Sequence, residues 1–321
     1  MEPLPKGANF IRSKTLWEIG LHIAGNPLTP YGGNRDMCIA VGSGGSDSFR
    51  PWLRLGTGSA IMAEDVVRGN LEMAFVNPSA MLTQAYRGVG LFKKKLPVRV
   101  VASYPSWDRF VITVNPKCGI TSLKQMKEKR APLKISVRED PTHSTHVLID
   151  QLLSVHGFTL KDVESWGGKL VLCGGPGDAR RLDPTAKGEI DMIFDEGIKT
   201  WLPQSLEAGM VPLDLTEAEF KHLTDLGWRK KSMPAGKFKG LKADHTCIDF
   251  SGWPIYCSAD LAEKTVYDVC GAIAARDAEM PWEPGDYQGI AQIGRDTEET
   301  PIDVPLHPGA ERWFREYGQK R

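Results

Sequence analysis

The sequence predicts an α/β protein organised as two lobes, on three observations. Strand-like apolar runs alternate with helix-like amphipathic stretches along the whole chain, which is the pattern of sheets covered by helices. The chain has 321 residues, enough for one large or two medium domains. The alternation starts afresh after Cys118, as a second lobe would.

The elements follow in order. Residues 13–24 (SKTLWEIGLHIA) read as an amphipathic helix ended by Gly25, Asn26 and Pro27. Residues 37–41 form a short apolar strand running into the Gly-rich GSGG. Residues 59–69 read as a helix with Ser59 as N-cap. A strand over 73–76 ends at Asn77-Pro78, and two more cover 98–102 and 110–114. The sequence ITSL at 120–123 opens a short helix. A strand over 133–137 leads through a polar loop into a helix over about 144–156. Strands are expected at 170–173, 192–194 and 211–213, then a helix near 216–226. Residues 228–240 (WRKKSMPAGKFKG) read as a polar connection. Residues 247–256 are strand-like, 259–275 form a long helix, and the tail carries a last helix near 309–316.

Composition narrows the function classes. Lys+Arg and Asp+Glu both count 40, so no basic excess is present to neutralise a nucleic-acid backbone. The run Lys93-Lys94-Lys95 reads as a solvated loop. No stretch reaches the ~20 apolar residues that span a bilayer. The start of the chain, MEPLPKG, has no secretory apolar run, so the sequence as written is expected in the cytoplasm, or in the periplasm if it is a processed chain. Six scattered cysteines form no CxxC pair and read as buried thiols. The GSGG stretch is neither GxGxxG nor a P-loop, and no GxSxG elbow occurs. No cofactor or metal is expected.

The candidate site residues lie just past predicted strand ends, the edge at which open α/β sheets bind ligands. Thr57, Gly58 and Ser59 open one helix, and Thr142, His143, Ser144 and Thr145 open another. Backbone N–H groups and hydroxyls there suit an anion; plain N-capping is the competing reading of each loop. Asn77 and Ser79 end a third strand, where they offer neutral hydrogen bonds or simply a Pro78 turn. Asp195 and Glu196 end a fourth, as a cation or amine site, a general base or a solvated turn. Arg50, Arg54 and Arg109 are candidate partners for ligand carboxylates, or surface arginines. His143 and His146 share a helix face, but HxxH alone is a weak metal spacing.

Several segments carry a family resemblance. The ending VPLHPGAERWFREYG (304–318) resembles the LHPGAxRYYxExG ending of TAXI-type solute receptors of TRAP transporters. GTGSAIMAEDVVRGNLEMAFVN (56–77), PVRVVA (97–102) with Tyr104-Pro105, GITSL (119–123), GEIDM (188–192) and residues 258–267 resemble further segments of that family in the same order. The resemblance implies a type II periplasmic-binding-protein-like fold: two α/β lobes with mixed sheets joined by a hinge. It implies residues 1–112 plus 247–321 in lobe 1 and 113–246 in lobe 2, closing on a small organic acid or amino-acid-like anion. TRAP-type membrane subunits follow as partners only if the chain is exported. The sequence departs from the family in its start, which corresponds to the family's first helix, and in the loop PTHSTH, rich in histidine where the family has small residues. The lack of an export signal in the sequence as written and that histidine loop motivate an alternative: a cytoplasmic enzyme on the same fold, acting on an anionic carboxylate, aromatic ones included. In that reading His143 or His146 is the acid/base, with Asp195 and Glu196 opposite.

Overall fold

The structure, a computed structural model, describes residues 8–26, 37–42, 52–56 and 60–318. The chain opens with α1 (Ala8–Gly25), β1 (Cys38–Gly42), β2 (Trp52–Gly56), α2 (Met62–Val67), β3 (Met73–Phe75), α3 (Ser79–Arg87) and β4 (Val98–Tyr104). It continues through β5 (Arg109–Val114), α4 (Leu123–Lys129), β6 (Lys134–Arg138), α5 (Ser144–Ser154), α6 (Leu160–Ser165) and β7 (Lys169–Cys173). Next come α7 (Ala179–Ala186), β8 (Met192–Asp195), α8 (Ile198–Glu207), β9 (Val211–Pro212), α9 (Glu217–Asp225), β10 (Lys230–Met233) and β11 (His245–Asp249). The chain closes with β12 (Trp253–Ser258), α10 (Glu263–Ala275) and α11 (Pro308–Trp313).

Two mixed sheets define two lobes. The first runs β1-β2-β3-β12-β4, with β12 antiparallel to both β3 and β4. The second runs β10-β11-β5-β8-β6-β7, with β9 also on β5. There β6 is parallel to β7 and β8, and β5 is antiparallel to β8. Each sheet thus takes one antiparallel strand from a chain that crosses between lobes, at residues 105–108 and again at 250–252. This is the type II periplasmic-binding-protein arrangement.

The crossings correct two sequence expectations. Residues 247–256 are not one strand: β11 ends in the second sheet and β12 starts in the first. The lobes therefore change over a few residues away from 112/113 and 246/247. The connection at 228–240 also contains a strand, β10, which pairs with β11 at the sheet edge. Its KKSM sequence has no apolar run because only Met233 is buried.

Burial explains the elements. All six residues of β5 are buried, as expected of a strand covered on both faces. In α5, Leu148, Ile149, Leu152 and Leu153 are buried at helical spacing, and His143 caps its start. Capping boxes start α6 (Thr159 with Asp162) and α9 (Thr216 with Glu219). In α3 every residue from Ser79 to Ala85 is buried, so it lacks the polar stripe that marks a surface helix.

The LHPGA segment has a structural task. The His307 N–H donates to the Val100 carbonyl (2.8 Å), and its ring caps α11 by accepting the Gly309 N–H (3.2 Å). Leu306 bridges to Val100, so the tail is stitched to β4. A Cβ on Gly309 would lie 2.2 Å from the Glu263 carbonyl oxygen, where α10 and α11 meet. Gly309→Ala should therefore destabilise the chain by about 1–3 kcal/mol in urea unfolding. A change below a few tenths would show that the helices separate freely.

Candidate functional site

The ends of β6 and β8 converge in lobe 2, and each finishes on charge. Asp195 is fully buried between two arginines. Arg138 Nε donates to one of its oxygens (2.8 Å) and Arg181 Nη1 to the other. Arg181 is itself fixed by its Nε donating to Ser136 Oγ (2.9 Å). Arg138 reaches further, from Nη2 to Glu196. Such a cluster is tolerated in the interior only because its charges pair.

Asp108, in the first crossing, adds a third acid. Its carboxylate accepts the backbone N–H groups of Gly197 (2.7 Å) and Ile198 (3.3 Å) at the start of α8, and of Arg109 (2.7 Å). Burial pushes the Asp108 carboxyl upward. Burial also drives Glu196 well above the usual carboxylate range, aided by the charges of Asp108 and Asp195 and opposed by Arg138. Both carboxyls are thus biased toward their protonated forms, Glu196 the more strongly. A carboxyl whose folded pKa is raised binds more protons folded than unfolded, so its contribution falls as pH rises from the ordinary Glu value through the raised one. Wild-type stability should decline over that window, and Glu196→Gln should flatten the slope and raise stability at neutral pH. Parallel slopes in urea titrations at several pH values would contradict this.

The loop 140–145 faces this cluster. Asp140 holds Thr142 through its N–H (2.8 Å) and hydroxyl (2.7 Å), leaving Thr142 exposed. His143 Nδ1 accepts the Thr145 N–H (3.3 Å) and lies 3.0 Å from Thr145 Oγ1. Its Nε2 is 3.8 Å from Glu196 Oε1. His146 Nε2 donates to the Arg138 carbonyl (2.8 Å), which fixes the arginine's backbone.

Lobe 1 meets this edge directly. Ser144 Oγ donates to the Asn77 carbonyl (2.6 Å). Gln84 of α3 and Gln151 of α5 exchange amide hydrogen bonds (3.0 and 3.2 Å), and Trp228 Nε1 donates to Gln151 (2.7 Å). Buried polar atoms with no hydrogen-bond partner among the described residues include Asn77 Oδ1 in lobe 1 and, in the arginine cluster of lobe 2, Arg138 Nη1 and Arg181 Nη2.

Of the residues expected from sequence, Asn77, His143, Ser144 and Glu196 are linked by these contacts, with Asp195 behind Arg138 and Ser79 and Thr145 buried alongside. Thr57, Gly58, Ser59 and Arg50 lie outside the described residues. Arg54 is taken up by Glu72 (2.7 Å). Arg109 is fully buried in the crossing, where its Nη1 donates to Asp249 (2.8 Å) and Ser251 (2.7 Å) and its Nη2 to Glu298. Its charge is thus committed to holding the two crossings and the tail together. Sequence reasoning passed over Arg138, Asp108 and Arg181. Arg138 carried a signal, as a charge ending an apolar strand (KISVR) at the ligand edge; Arg181, inside a helix, carried none.

Among the described residues, no three His, Cys, Asp or Glu side chains converge as a metal site, and no helix is long and apolar enough to cross a membrane. A separate hollow of about 220 Å³ lies under the first sheet, lined by Leu55, Phe75, Tyr104, Ile255, Ile273 and Trp282 among others. It is almost wholly apolar and offers no charge to an anion.

Fold and junction together define a two-lobed protein of the type II periplasmic-binding-protein class. Residues 55–318 match the model of the NMT1-like family, and the chain belongs to that family. Among solved structures, it is similar to a periplasmic transporter, at 14% identity and TM-score 0.34, covering 82% of this chain and 80% of that one. It is also similar to a TctC solute-binding protein from Polaromonas, at 15% identity and TM-score 0.33, covering 69% and 70%. A protein of R. palustris with adipate gives 15% identity and TM-score 0.33, covering 81% of each chain. These likenesses are too distant to carry a ligand from one chain to another.

Proposed function

We propose that this chain is a small-molecule-binding protein that clamps an organic acid or amino-acid-like anion between its lobes, as the TAXI-type receptors resembled by its motifs do. The observation that carries the reading is the pair of buried, unpartnered atoms on opposite lobes, Arg138 Nη1 and Asn77 Oδ1. An unmet buried polar group costs about 1–3 kcal/mol, which a ligand supplying an acceptor to the arginine and a donor to the amide would recover. The start of α5 links the two sides, with Ser144 on the Asn77 carbonyl and His143 beside Glu196. Service to TRAP-type membrane subunits would require this chain to work outside the cytoplasmic membrane.

A thermal-shift screen with organic acids and amino acids tests the clamp. A ligand at 100 times its Kd adds about 2.7 kcal/mol of stability, a clear rise in Tm. Asn77→Ala should remove most of that rise. A screen in which no acid or amino acid moves the Tm would refute the reading.

One observation favours a second reading, an enzyme on the same frame: His143 Nε2 lies 3.8 Å from Glu196, whose carboxyl is pushed upward by burial. In that reading His143 is the acid/base and Glu196 its partner, while His146 is tied to the backbone. His143→Ala would then abolish turnover and leave the folded state intact; unchanged turnover would remove the assignment.

A further inference from the structure

The tail between α10 and α11 does more than return the chain to lobe 1. It is anchored there by buried Ile290 and Ile293 and by the Leu306–Val100 bridge. Its acids, however, face lobe 2. Lys199 of α8 lies 2.8 Å from Asp286 and 3.5 Å from Glu283. Arg229, just before β10, makes a two-pronged pair with Asp303 (2.9 and 2.9 Å) and reaches Asp296 (2.8 Å). Between these points the tail crosses the hinge. Glu298 there accepts from Arg109 and from Trp107 Nε1 (2.8 Å), and Asp286 accepts the Trp107 N–H (2.7 Å).

We propose that residues 277–307 form an electrostatic strap that holds the two lobes closed without ligand. The pairs span separate bodies: Lys199 and Arg229 belong to lobe 2, whereas the tail packs on the first sheet. A rotation of one lobe against the other displaces lobe 2 relative to the tail and so disturbs the ion pairs at both ends of it. The bidentate Arg229–Asp303 geometry is directional, so small rotations already weaken it. Lys199 is half exposed and Arg229 about one-fifth exposed, so salt reaches both ion pairs. Closure is then set partly by charges remote from the ligand edge, and ionic strength tunes it. This inference does not depend on which molecule, if any, the cleft binds.

Small-angle scattering on the ligand-free full chain tests it. Scattering would be compared at about 0.1 M and about 1 M salt, where the Debye length falls from about 10 Å to about 3 Å. The strap predicts a larger radius of gyration at high salt. It predicts the same expansion at low salt for the double variant Lys199→Ala with Arg229→Ala. The exchange Arg229→Asp with Asp303→Arg should restore the compact profile relative to Arg229→Asp alone. A folded double variant, checked by circular dichroism, whose low-salt profile matches wild type would overturn the proposal. If the double variant fails to fold, the near-isosteric pair Asp286→Asn with Asp303→Asn decides by the same criterion: expansion supports the strap and a wild-type profile overturns it. No ligand enters the experiment, so its failure is distinct from failure of the clamp.

Discussion

Arg138→Ala should destabilise the chain by about 3–5 kcal/mol, the range for removing one partner of a buried ion pair. Arg138 is 3% exposed and is the link between Asp195 and Glu196. Without it, Asp195 retains Arg181 and the Glu196 backbone N–H, and Glu196 loses a charge that opposes its protonation. The cost arises mainly from the Asp195 carboxylate, and any share carried by ionised Glu196 should disappear when Glu196→Gln is added to Arg138→Ala. Urea unfolding of the two single variants and the double gives the coupling directly. A loss below about 1 kcal/mol, which is surface-pair behaviour, would mean the cluster is solvated and not a built site.

The second large effect is expected at Arg109. The side chain is fully buried, holds Asp249, Ser251 and Glu298, and lies 4.6 Å over the Trp107 ring. Arg109→Ala leaves Asp249 buried without its partner and should also cost about 3–5 kcal/mol. Asp249 is already pushed upward by burial, with Arg109 as the main opposing influence. In the variant Asp249 should take up a proton more readily, so part of the lost stability should return at low pH. If Arg109→Ala instead unfolds like wild type and only weakens an anion's thermal shift, the arginine is a ligand group and the hinge assignment is wrong.

The fold was legible where side-chain pattern follows chain direction. The runs KISVR, MIFD and RFVITV announce β6, β8 and β5 because they are buried and short. The helix α10 shows in the spacing of Val266, Cys270, Ile273 and Ala274. Legibility failed where tertiary context supplied the pattern. The crossing between β11 and β12 takes only residues 250–252, and the flanking strands are equally apolar, so nothing in 247–256 marks a change of sheet. The helix α3 was hidden because both lobes bury it, which erases its polar face. The strand β10 was hidden because an edge position lets it stay polar.

The site divides in the same way. Loops at strand ends were visible, since Asn77, the 142–145 loop and Asp195-Glu196 each follow an apolar run. Which arginine serves the site was not visible. Arg109 looked like a free cation because its partners Asp249 and Glu298 lie 140 and 189 residues away in the chain. Arg138 was passed over although it ends a strand, since one buried arginine cannot be told from an exposed one by spacing. The LHPGA segment, the most specific motif, proved to carry a tail-docking task whose connection to the ligand edge runs through the strap rather than through contact.

The most direct measurement is a crystal structure grown with whichever acid gives the largest thermal shift. The account predicts ligand density at the lobe junction, with an anionic oxygen in hydrogen-bond range of Arg138 Nη1 and a donor group toward Asn77. Density confined to the apolar hollow under the first sheet, with the Ser144–Asn77 junction empty, would contradict it.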